Sequence, residues 1–496
     1  MAEETGAQRA YRAPCPGCGA PVEFRSAQSA FAVCPFCQST VVREGETLAR
    51  IGKMAELFDD FSPLQLFAAG RVDGQPFTLV GRLQYSYPGG RWTEWIAALD
   101  GERTGLLSED NGAFVFSLPV ELQQPVAPAA DMRVGATTAV NGQTYTVASN
   151  EQVTLVSAQG ELPRLPDLGK PFAAVELRND QGQVLSLDCD TQPPGAYLGR
   201  AVRLEDLQLT GLREESTKDE KGRSFACPNC GAPVAVNLAD SKSITCGHCH
   251  SIIDVSQGIG GELKHAEQDD PVRPLIALGS VGTLQGVKWQ VVGFQHRMGQ
   301  EPGDDEEFGW NEYLLYNRKR GFSFLVDAED GWSMVAPTTG APSMAESGKT
   351  AKYLGKSYQQ QYAYNAETTY VAGEFYWQVE RGQKTFNRDF ANGNALLSME
   401  RSANELSWSS GSKMDSAAVA AAFKLDAKKG MFERADAAPL SAASSMGCGT
   451  IILIIVVIFI LLIILSTCSS RSGGSSSSSR SSGGSYGGYS SGGSHK

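Results

Sequence analysis

Eight of the eleven cysteines in this chain fall in Cys-x-x-Cys pairs, and these pairs are its clearest signal for chemistry. The paired residues are Cys15, Cys18, Cys34, Cys37, Cys227, Cys230, Cys246 and Cys249. They form two sets, and fifteen residues separate the two pairs within each set, which is enough for a short hairpin. A Cys-x-x-Cys turn directs two thiolates at one point, and two such turns complete a tetrahedral four-sulfur site that suits Zn²⁺. The sequence therefore predicts two zinc ribbons in which these eight cysteines hold two structural zinc ions.

Two other kinds of cysteine chemistry match part of this pattern. Cys246-Gly-His-Cys249 also spells the dithiol of disulfide isomerases, but that dithiol has to stand at the start of a helix. A catalytic zinc needs an open coordination position, which four thiolates do not leave. His248 and His250, beside the second set, are expected to be surface residues and not metal ligands. Cys189 is expected to be a small buried residue. The sequence favours structural zinc over both alternatives.

Outside the cysteines, the best candidates for catalysis are two glutamates. No phosphate loop, nucleophile elbow or metalloprotease helix motif occurs in the sequence. Glu94 and Glu312 occupy equivalent places in the motif Trp-x-Glu-aromatic at residues 92–95 and 310–313. In one interpretation they face one another across a pseudo-twofold axis and share a proton or a cation. In the other, which the sequence favours, the aromatic residues pack inward and each carboxylate is solvated or bonded to a turn.

The elements that must position these residues occur twice. The second ribbon follows the first at an offset of 212 residues, and the match continues for almost 200 residues beyond it. Inside each copy, short alternating stretches separated by Gly, Asn and Asp turns indicate antiparallel β-structure. Helical patterns occur at 48–58 and 416–425, and charged stretches at 213–223 and 262–273 indicate flexible joints.

The predicted fold class is mainly β, with two tandem copies of a zinc ribbon and an antiparallel β domain that is a sandwich or a barrel. The predicted units are residues 13–44 (zinc ribbon 1), 60–208 (β domain 1), 225–256 (zinc ribbon 2), 274–426 (β domain 2), 447–468 (transmembrane helix) and 469–496 (disordered Ser/Gly-rich tail).

Four repeated motifs resemble a bacterial family known as domain of unknown function 4178. They are Gly-x-x-aromatic-x-Val/Leu-Val-Gly (74–81 and 286–293), Trp-x-Glu-aromatic, Gly-Glu-Leu/Phe (160–162 and 373–375) and Leu-Ser-x-acidic (185–188 and 397–400). The resemblance covers roughly residues 60–205 and 275–425. It implies β-rich domains, zinc ribbons, membrane segments and a bacterial source, and it brings no established activity or catalytic residue.

An apolar segment near the end of the sequence predicts a membrane anchor. Residues 451–465 are all apolar, and uncharged flanks extend the segment to 447–468. At about 1.5 Å per residue this length spans a hydrocarbon core of ~30 Å. Residues 1–12 carry no secretory signal, and reduced thiolates are typical of the cytoplasm. We therefore expect a single-pass protein of the cell inner membrane, with its N-terminal bulk in the cytoplasm and the tail outside.

These observations favour binding over catalysis. The expected function is a non-enzymatic adaptor or scaffold that is held in the lipid bilayer and recruits an unidentified protein partner. The alternative is an enzyme that uses Glu94 and Glu312. Nucleic acid is a disfavoured partner, because the formal net charge is −12. A group of aromatic residues in the second copy is expected to belong to the hydrophobic core and not to a surface that contacts a partner. The group comprises Tyr358, Tyr362, Tyr364, Tyr370, Tyr376 and Trp377.

Overall fold

The structure is a computed structural model that describes most of the chain up to residue 434. The described residues are 11–26, 29–44, 47–53, 62–88, 90–100, 103–110, 113–165, 167–213, 223–238, 241–256, 263–268, 271–402 and 406–434. The predicted transmembrane helix at 447–468 and the tail at 469–496 lie outside these residues. None of the helices in the described ranges is both long enough and apolar enough to cross a membrane.

The first copy consists of a small ribbon followed by a larger β domain. The ribbon strands are β1 (Tyr11–Pro14), β2 (Pro21–Phe24), β3 (Phe31–Val33), β4 (Ser39–Glu44) and β5 (Thr47–Lys53). The strands of the β domain are β6 (Ala69–Val72), β7 (Gln75–Tyr87), β8 (Gly90–Leu99), β9 (Arg103–Asp110), β10 (Ala113–Pro119), β11 (Thr137–Val140), β12 (Gln143–Leu162), β13 (Pro171–Arg178), β14 (Gln183–Asp188) and β15 (Gly195–Val202). Short 3-10 helices lie at Ala129–Asp131 and Leu204–Leu207.

The second copy repeats this order. Its ribbon strands are β16 (Arg223–Ala226), β17 (Pro233–Val236), β18 (Ser243–Thr245), β19 (Ile252–Asp254) and β20 (His265–Ala266). The strands of its β domain are β21 (Val281–Leu284), β22 (Val287–Gln300), β23 (Glu307–Asn317), β24 (Gly321–Ala328), β25 (Gly331–Pro337), β26 (Ser343–Met344), β27 (Thr350–Tyr353), β28 (Lys356–Phe375), β29 (Lys384–Asn392), β30 (Ala395–Arg401) and β31 (Leu406–Met414). Helix α1 (Ser416–Ala422) and a 3-10 helix at Asp426–Met431 follow.

In each copy, strands of the described chain close into an antiparallel barrel. The order around the first barrel is β7-β8-β9-β10-β15-β14-β13-β12, and β12 returns to pair with β7. The second barrel has the order β22-β23-β24-β25-β31-β30-β29-β28, and β28 pairs with β22. Closure provides hydrogen-bond partners for the backbone N–H and C=O groups that an open sheet would leave unpaired at its edges. The mainly β fold class is confirmed, and both copies are barrels.

The closing strands β12 and β28 are each 20 residues long, and each pairs with four neighbours along its length. β12 pairs first with β11, then with β13 and β7, and finally with the ribbon strand β3. Where it passes from the barrel to the ribbon, Gly160 pairs with Gly81, as Gly373 pairs with Gly293 in the second copy. A Cβ atom at Gly81 would overlap the carbonyl of Glu161. Two of the repeated sequence motifs therefore meet here, and their glycines are needed because the two backbones pass too closely for side chains.

Each ribbon is joined to its barrel by hydrogen-bonded strands. β3 continues the sheet at β12, and β18 does the same at β28. The predicted joint at 262–273 contains β20, which pairs with β19. In the same segment, the side chain of Gln268 donates to the carbonyls of His250 in the ribbon and Val371 in the barrel, at 2.7 and 2.9 Å. The prediction of a flexible joint there is wrong, because the segment bonds to both units. Most of the other predicted joint, 214–222, lies outside the described residues.

One of the two predicted helices is confirmed, and the other is wrong over residues 48–53, while residues 54–58 lie outside the described residues. Helix α1 forms within 416–425, where Asp415 caps it by accepting a hydrogen bond from the amide of Ala418 at 2.9 Å. Its buried residues Val419 and Ala420 pack on the outer wall of the second barrel. Residues 47–53 instead form β5, which pairs with β4. Leu48 packs against the ribbon core, and this tertiary contact outweighs the local helical pattern.

The two barrels contact each other through a turn of the first and a loop of the second. The side chain of Arg178 donates to the carbonyl of Thr338 at 3.3 Å. The amide of Ala341 donates to the carbonyl of Asn179 at 3.0 Å, and that of Leu354 donates to Asp180 at 2.7 Å. Two of these bonds are between backbone groups and one comes from a side chain, and together they join the two barrels.

The loop of the second barrel that makes this contact is shorter than its equivalent in the first barrel. The connection between β10 and β11 covers residues 120–136, and Val120, Leu122 and Val126 from it cover the outer wall of the first barrel. The equivalent connection between β25 and β27 is shorter, covering residues 338–349. The turn at 178–182 of the first barrel lies against this shorter loop, where Gly340 is next to the carbonyl of Asn179 and Cα of Gly182.

Candidate metal centres and buried acids

Each ribbon contains two tight turns, and each turn carries one Cys-x-x-Cys pair. The residue after the second cysteine has a positive φ at Gly19 (77°), Gln38 (58°), Gly231 (75°) and His250 (61°). This conformation lets the amide of that residue donate to the carbonyl of the first cysteine, as Gly19 does to Cys15 at 2.8 Å. The same turn therefore forms at two positions that have a glycine and at two that do not.

The four sulfurs of each ribbon converge on one point. The Sγ–Sγ distances are 3.7 Å for Cys15–Cys37, Cys18–Cys34, Cys227–Cys249 and Cys230–Cys246. Four thiolates bound tetrahedrally at about 2.3 Å from zinc lie about 3.8 Å from one another. A disulfide would bring two sulfurs to about 2.05 Å. All eight predicted ligands thus lie in two groups of four within the described residues, and each group could hold a metal ion.

Hydrogen bonds within the ribbons reach several of the sulfurs, and in each ribbon they favour the metal-binding thiolate form of one cysteine. The backbone amide of Gly17 donates to Cys15 Sγ at 3.3 Å, as that of His248 donates to Cys246 Sγ at 3.4 Å. The hydroxyl of Ser39 lies 3.2 Å from Cys37 Sγ, and its hydrogen bond lowers the pKa of that thiol to about 6. Ser251 has the same effect on the pKa of Cys249 in the second ribbon.

The surroundings of Cys246 and Cys249 fit metal binding better than redox chemistry. Their turn connects the strands β18 and β19, whereas a redox dithiol needs the start of a helix to stabilise its thiolate. The histidines of this turn differ in position. His248 is exposed, while His250 is half-buried with its ring 3.5 Å from the hydroxyl of Tyr370. Cys189 is half-buried at the wall of the first barrel, away from both groups of cysteines.

The glutamate of the repeated Gly-Glu-Leu/Phe motif attaches each ribbon to its barrel. Glu374 accepts hydrogen bonds from the amides of Asn237 and Leu238, both at 2.9 Å, and from the hydroxyl of Ser241 at 2.8 Å. In the first copy, Glu161 accepts from the amides of Arg25 and Ser26 at 2.6 and 2.7 Å. Burial is the main influence on Glu161 and raises its pKa. Sequence reasoning found this motif in both copies but did not assign its role, because the bonded residues are more than 130 positions apart.

Both predictions for Glu94 and Glu312 need correction. The two glutamates are 1% exposed, so neither is solvated, and each lies inside its own barrel. Each accepts a hydrogen bond from the indole of the tryptophan two residues earlier: Trp92 to Glu94 at 3.2 Å and Trp310 to Glu312 at 2.6 Å. The motif Trp-x-Glu thus forms a buried bond within one strand, where alternate side chains share a face.

Glu312 lies beside an ion pair between Arg297 and Glu400 that crosses the interior of the second barrel. Arg297 on β22 donates to Glu400 on β30 at 2.8 Å, and these strands are not neighbours. The same guanidinium lies 3.6 Å from Glu312, which also accepts a bond from Gln295. Burial is the main influence on Glu312, and it raises the pKa of this carboxyl to about 7. One cation and two carboxyl groups therefore share a closed interior, which favours retention of one proton.

The first barrel holds a related set of charges in a different arrangement. Asp188 occupies the place of Glu400 in the repeat, and Tyr85 pairs with Trp92 as Arg297 pairs with Trp310. The cation comes instead from Arg164, which follows β12 and lies 3.8 Å from Asp188. Burial, with Glu94 and Asp188 nearby, raises the pKa of Tyr85 well above its ordinary value.

The aromatic group in the second copy is core, as the sequence favoured. Tyr364, Tyr376 and Trp377 are buried in one cluster with Trp310 and Phe375. Tyr358 and Tyr370 are buried in two further clusters, and Tyr362 is half-buried.

The fold and the cysteine groups together define a tandem ribbon–barrel protein with two candidate metal centres. The chain matches the family described as Domain of unknown function (DUF4178) over residues 68–204 and 277–416, which is more than half of its length. The chain belongs to this family, and the resemblance seen in the sequence is confirmed. No curated protein and no solved structure matches the chain.

Proposed function

We propose that this chain is a zinc-binding, non-enzymatic adaptor at the cytoplasmic face of a bacterial inner membrane. The observation that carries the proposal is the geometry of the two cysteine groups, whose 3.7 Å sulfur separations match tetrahedral zinc. Four thiolates close the coordination shell, so the ion stabilises the ribbon and does not activate a substrate. Each ribbon, being hydrogen-bonded to its barrel, presents a fixed surface to a partner.

Two further features support a binding role over a catalytic one. The acidic groups that an enzyme would use are inside the barrels, where Glu94, Glu312 and Glu400 are at most 3% exposed. At the tip of the first ribbon, by contrast, Phe36 is 70% exposed, the largest exposed fraction among the exposed large hydrophobic side chains of the described residues. An exposed aromatic residue on a firmly held element suits protein recognition.

Membrane attachment is the third part of the proposal and comes from residues 447–468. This uncharged segment has the length and composition of a transmembrane helix. Anchoring would raise the effective concentration of the two ribbon–barrel units near other membrane-bound proteins.

Metal analysis of the full chain tests the zinc sites. We expect two zinc ions per chain, and one in the variant Cys227→Ser/Cys230→Ser, because it removes half of one ligand set. Cys189→Ser is the matched control and should keep two ions, since Cys189 lies outside both groups. One ion or none in the unaltered protein would contradict the ligand assignment.

Affinity capture with crosslinking from native membranes tests the adaptor role. The full chain should retain a discrete protein, and Phe36→Ala should lose it if the tip of the first ribbon makes the contact. His248→Ala is the control, because it changes the equivalent exposed position of the second ribbon. Comparison with a chain lacking residues 447–496 shows whether capture needs the membrane. If every version retains no protein, the adaptor role is wrong.

A further inference from the structure

The last described residues are fixed to the second barrel. Phe432 is fully buried, and its carbonyl accepts a hydrogen bond from the indole of Trp332 at 2.8 Å. The guanidinium of Arg434 forms two bonds with the carboxylate of Asp327, at 2.7 and 2.8 Å. A bidentate pair of this kind fixes both the position and the orientation of the Arg434 side chain. The chain therefore leaves the barrel at a defined place.

The 3-10 helix immediately before this anchor buries none of its residues. It runs from Asp426 to Met431 and exposes Lys428 and Lys429, and Lys424 is exposed just before it. Met431 is 58% exposed at its end. A short element with no buried face contributes little to the core, so its exposed side chains are available for another surface.

The predicted membrane helix begins a short distance further along the chain. Residues 435–446 connect Arg434 to it, and they are mostly small residues with one charge. Twelve residues reach at most about 42 Å even when fully extended. If the membrane anchor forms, the exposed 3-10 helix therefore has to lie within that distance of the plane at which the chain enters the bilayer.

We propose that residues 424–431 form a membrane-contact surface that binds anionic lipid headgroups. The proposal rests on the membrane anchor proposed above. Lys424, Lys428 and Lys429 supply three positive charges against one from Asp426, and Met431 adds an apolar side chain for the interface. The whole chain carries a net charge of −12, so an anionic bilayer repels most of it. Contact through this surface would orient the second barrel and, through the contact between barrels, the first.

Amine labelling of the full chain in lipid nanodiscs tests this surface. The three lysines should react roughly fivefold more slowly in nanodiscs with anionic phosphatidylglycerol than in nanodiscs of phosphatidylcholine alone. About 1 M salt should abolish the difference, because it shortens the screening length to about 3 Å. Lys349, Lys352 and Lys356 are exposed on the same barrel and serve as internal controls whose labelling should not change.

A charge-reversal variant makes the test independent of labelling. Lys424→Glu/Lys428→Glu/Lys429→Glu should remove the lipid dependence of hydrogen exchange in 424–434, and Lys349→Glu/Lys352→Glu/Lys356→Glu should leave it intact. If the three lysines are labelled equally in both lipids while the chain resists alkaline extraction, the proposed membrane-contact surface is wrong. The proposed membrane anchor is then unaffected. A chain that alkaline extraction releases from membranes overturns the anchor and this inference with it.

Discussion

At the scale of single residues, the ribbon turns depend on a backbone conformation that most side chains resist. Gly231 has φ 75°, whereas Gly247, in the other turn of the same ribbon, has an ordinary φ and open space around its Cα. A left-handed conformation costs a residue with a Cβ roughly 1–2 kcal/mol. The two glycines therefore differ in what they contribute, although both occur next to a cysteine ligand.

We predict that Gly231→Ala weakens zinc binding by the second ribbon about fivefold to thirtyfold, which corresponds to that strain. Chelator competition measures the affinity. Gly247→Ala should bind zinc as the unaltered chain does, and equal losses in the two variants would refute the role of the turn.

The attachment of the second ribbon to its barrel also depends on one residue, Glu374. Glu374→Gln keeps the size of the side chain but removes the charge and places an amide donor against backbone donors. A buried charge-assisted bond that is lost costs about 1–3 kcal/mol. We predict faster hydrogen exchange at residues 237–245 and a lower melting temperature. Glu380→Gln, on an exposed residue nearby, should change neither quantity. If exchange in 237–245 is unaltered in Glu374→Gln, the glutamate does not hold the ribbon.

At the scale of elements, the strands of the second barrel enclose a carboxyl group whose pKa is raised by burial. The pKa of Glu312 is raised to about 7 in the folded protein, so folding strengthens proton binding. The stability that this proton contributes is fully present below the ordinary pKa of about 4.5 and is lost as the pH rises through 7. Arg297 and Glu400 face the group and oppose each other, since the cation lowers its pKa and the second carboxylate raises it.

We predict that the free energy of unfolding falls by about 2 kcal/mol between pH 5.5 and 8 because of this group. Glu312→Gln imitates the protonated acid and should remove that part of the pH dependence. Urea unfolding at several pH values measures it, with the exposed Glu346→Gln as control. A pH dependence that is identical in the Glu312→Gln variant and the unaltered protein would show that the acid does not titrate in this range.

At the scale of the whole molecule, the contact between barrels depends on a glycine in the shorter loop. A Cβ at Gly340 would lie 2.7 Å from the carbonyl oxygen of Asn179 and 2.7 Å from Cα of Gly182. Neither is a flexible side-chain end that could move aside, so the substitution has to displace the turn. The same Cβ would lie 2.7 Å from Cε2 of Tyr353 in the second barrel. The effect of Gly340→Ala should therefore appear in the arrangement of the barrels as well as around Tyr353.

We predict that Gly340→Ala raises the radius of gyration in small-angle X-ray scattering and lowers the melting temperature, at a cost of about 1–3 kcal/mol. Gly430→Ala is the control, because a Cβ at Gly430 meets nothing within 4 Å. Unchanged scattering from Gly340→Ala would mean that the barrels tolerate a looser contact.

The sequence by itself determined the features that depend on local spacing. Two cysteines three positions apart must share a turn, so the eight candidate ligands could be named without a structure. The alternation that indicated β-structure and the offset of 212 residues are likewise read along the chain. The helical pattern failed over residues 48–53 because the edge of β4 was available to pair with that segment.

The tertiary structure decided which distant residues meet. Glu374 bonds to residues 136 and 137 positions earlier, and Arg297 reaches Glu400 across 103 positions. Barrel closure, the attachment of the ribbons and the true surroundings of Glu94 and Glu312 all depend on such contacts. No periodicity along the chain specifies them, because they arise when strands bend through bulges and close on one another. Sequence spacing fixed the candidate metal ligands, whereas the closed barrels determined that the acidic residues would be buried.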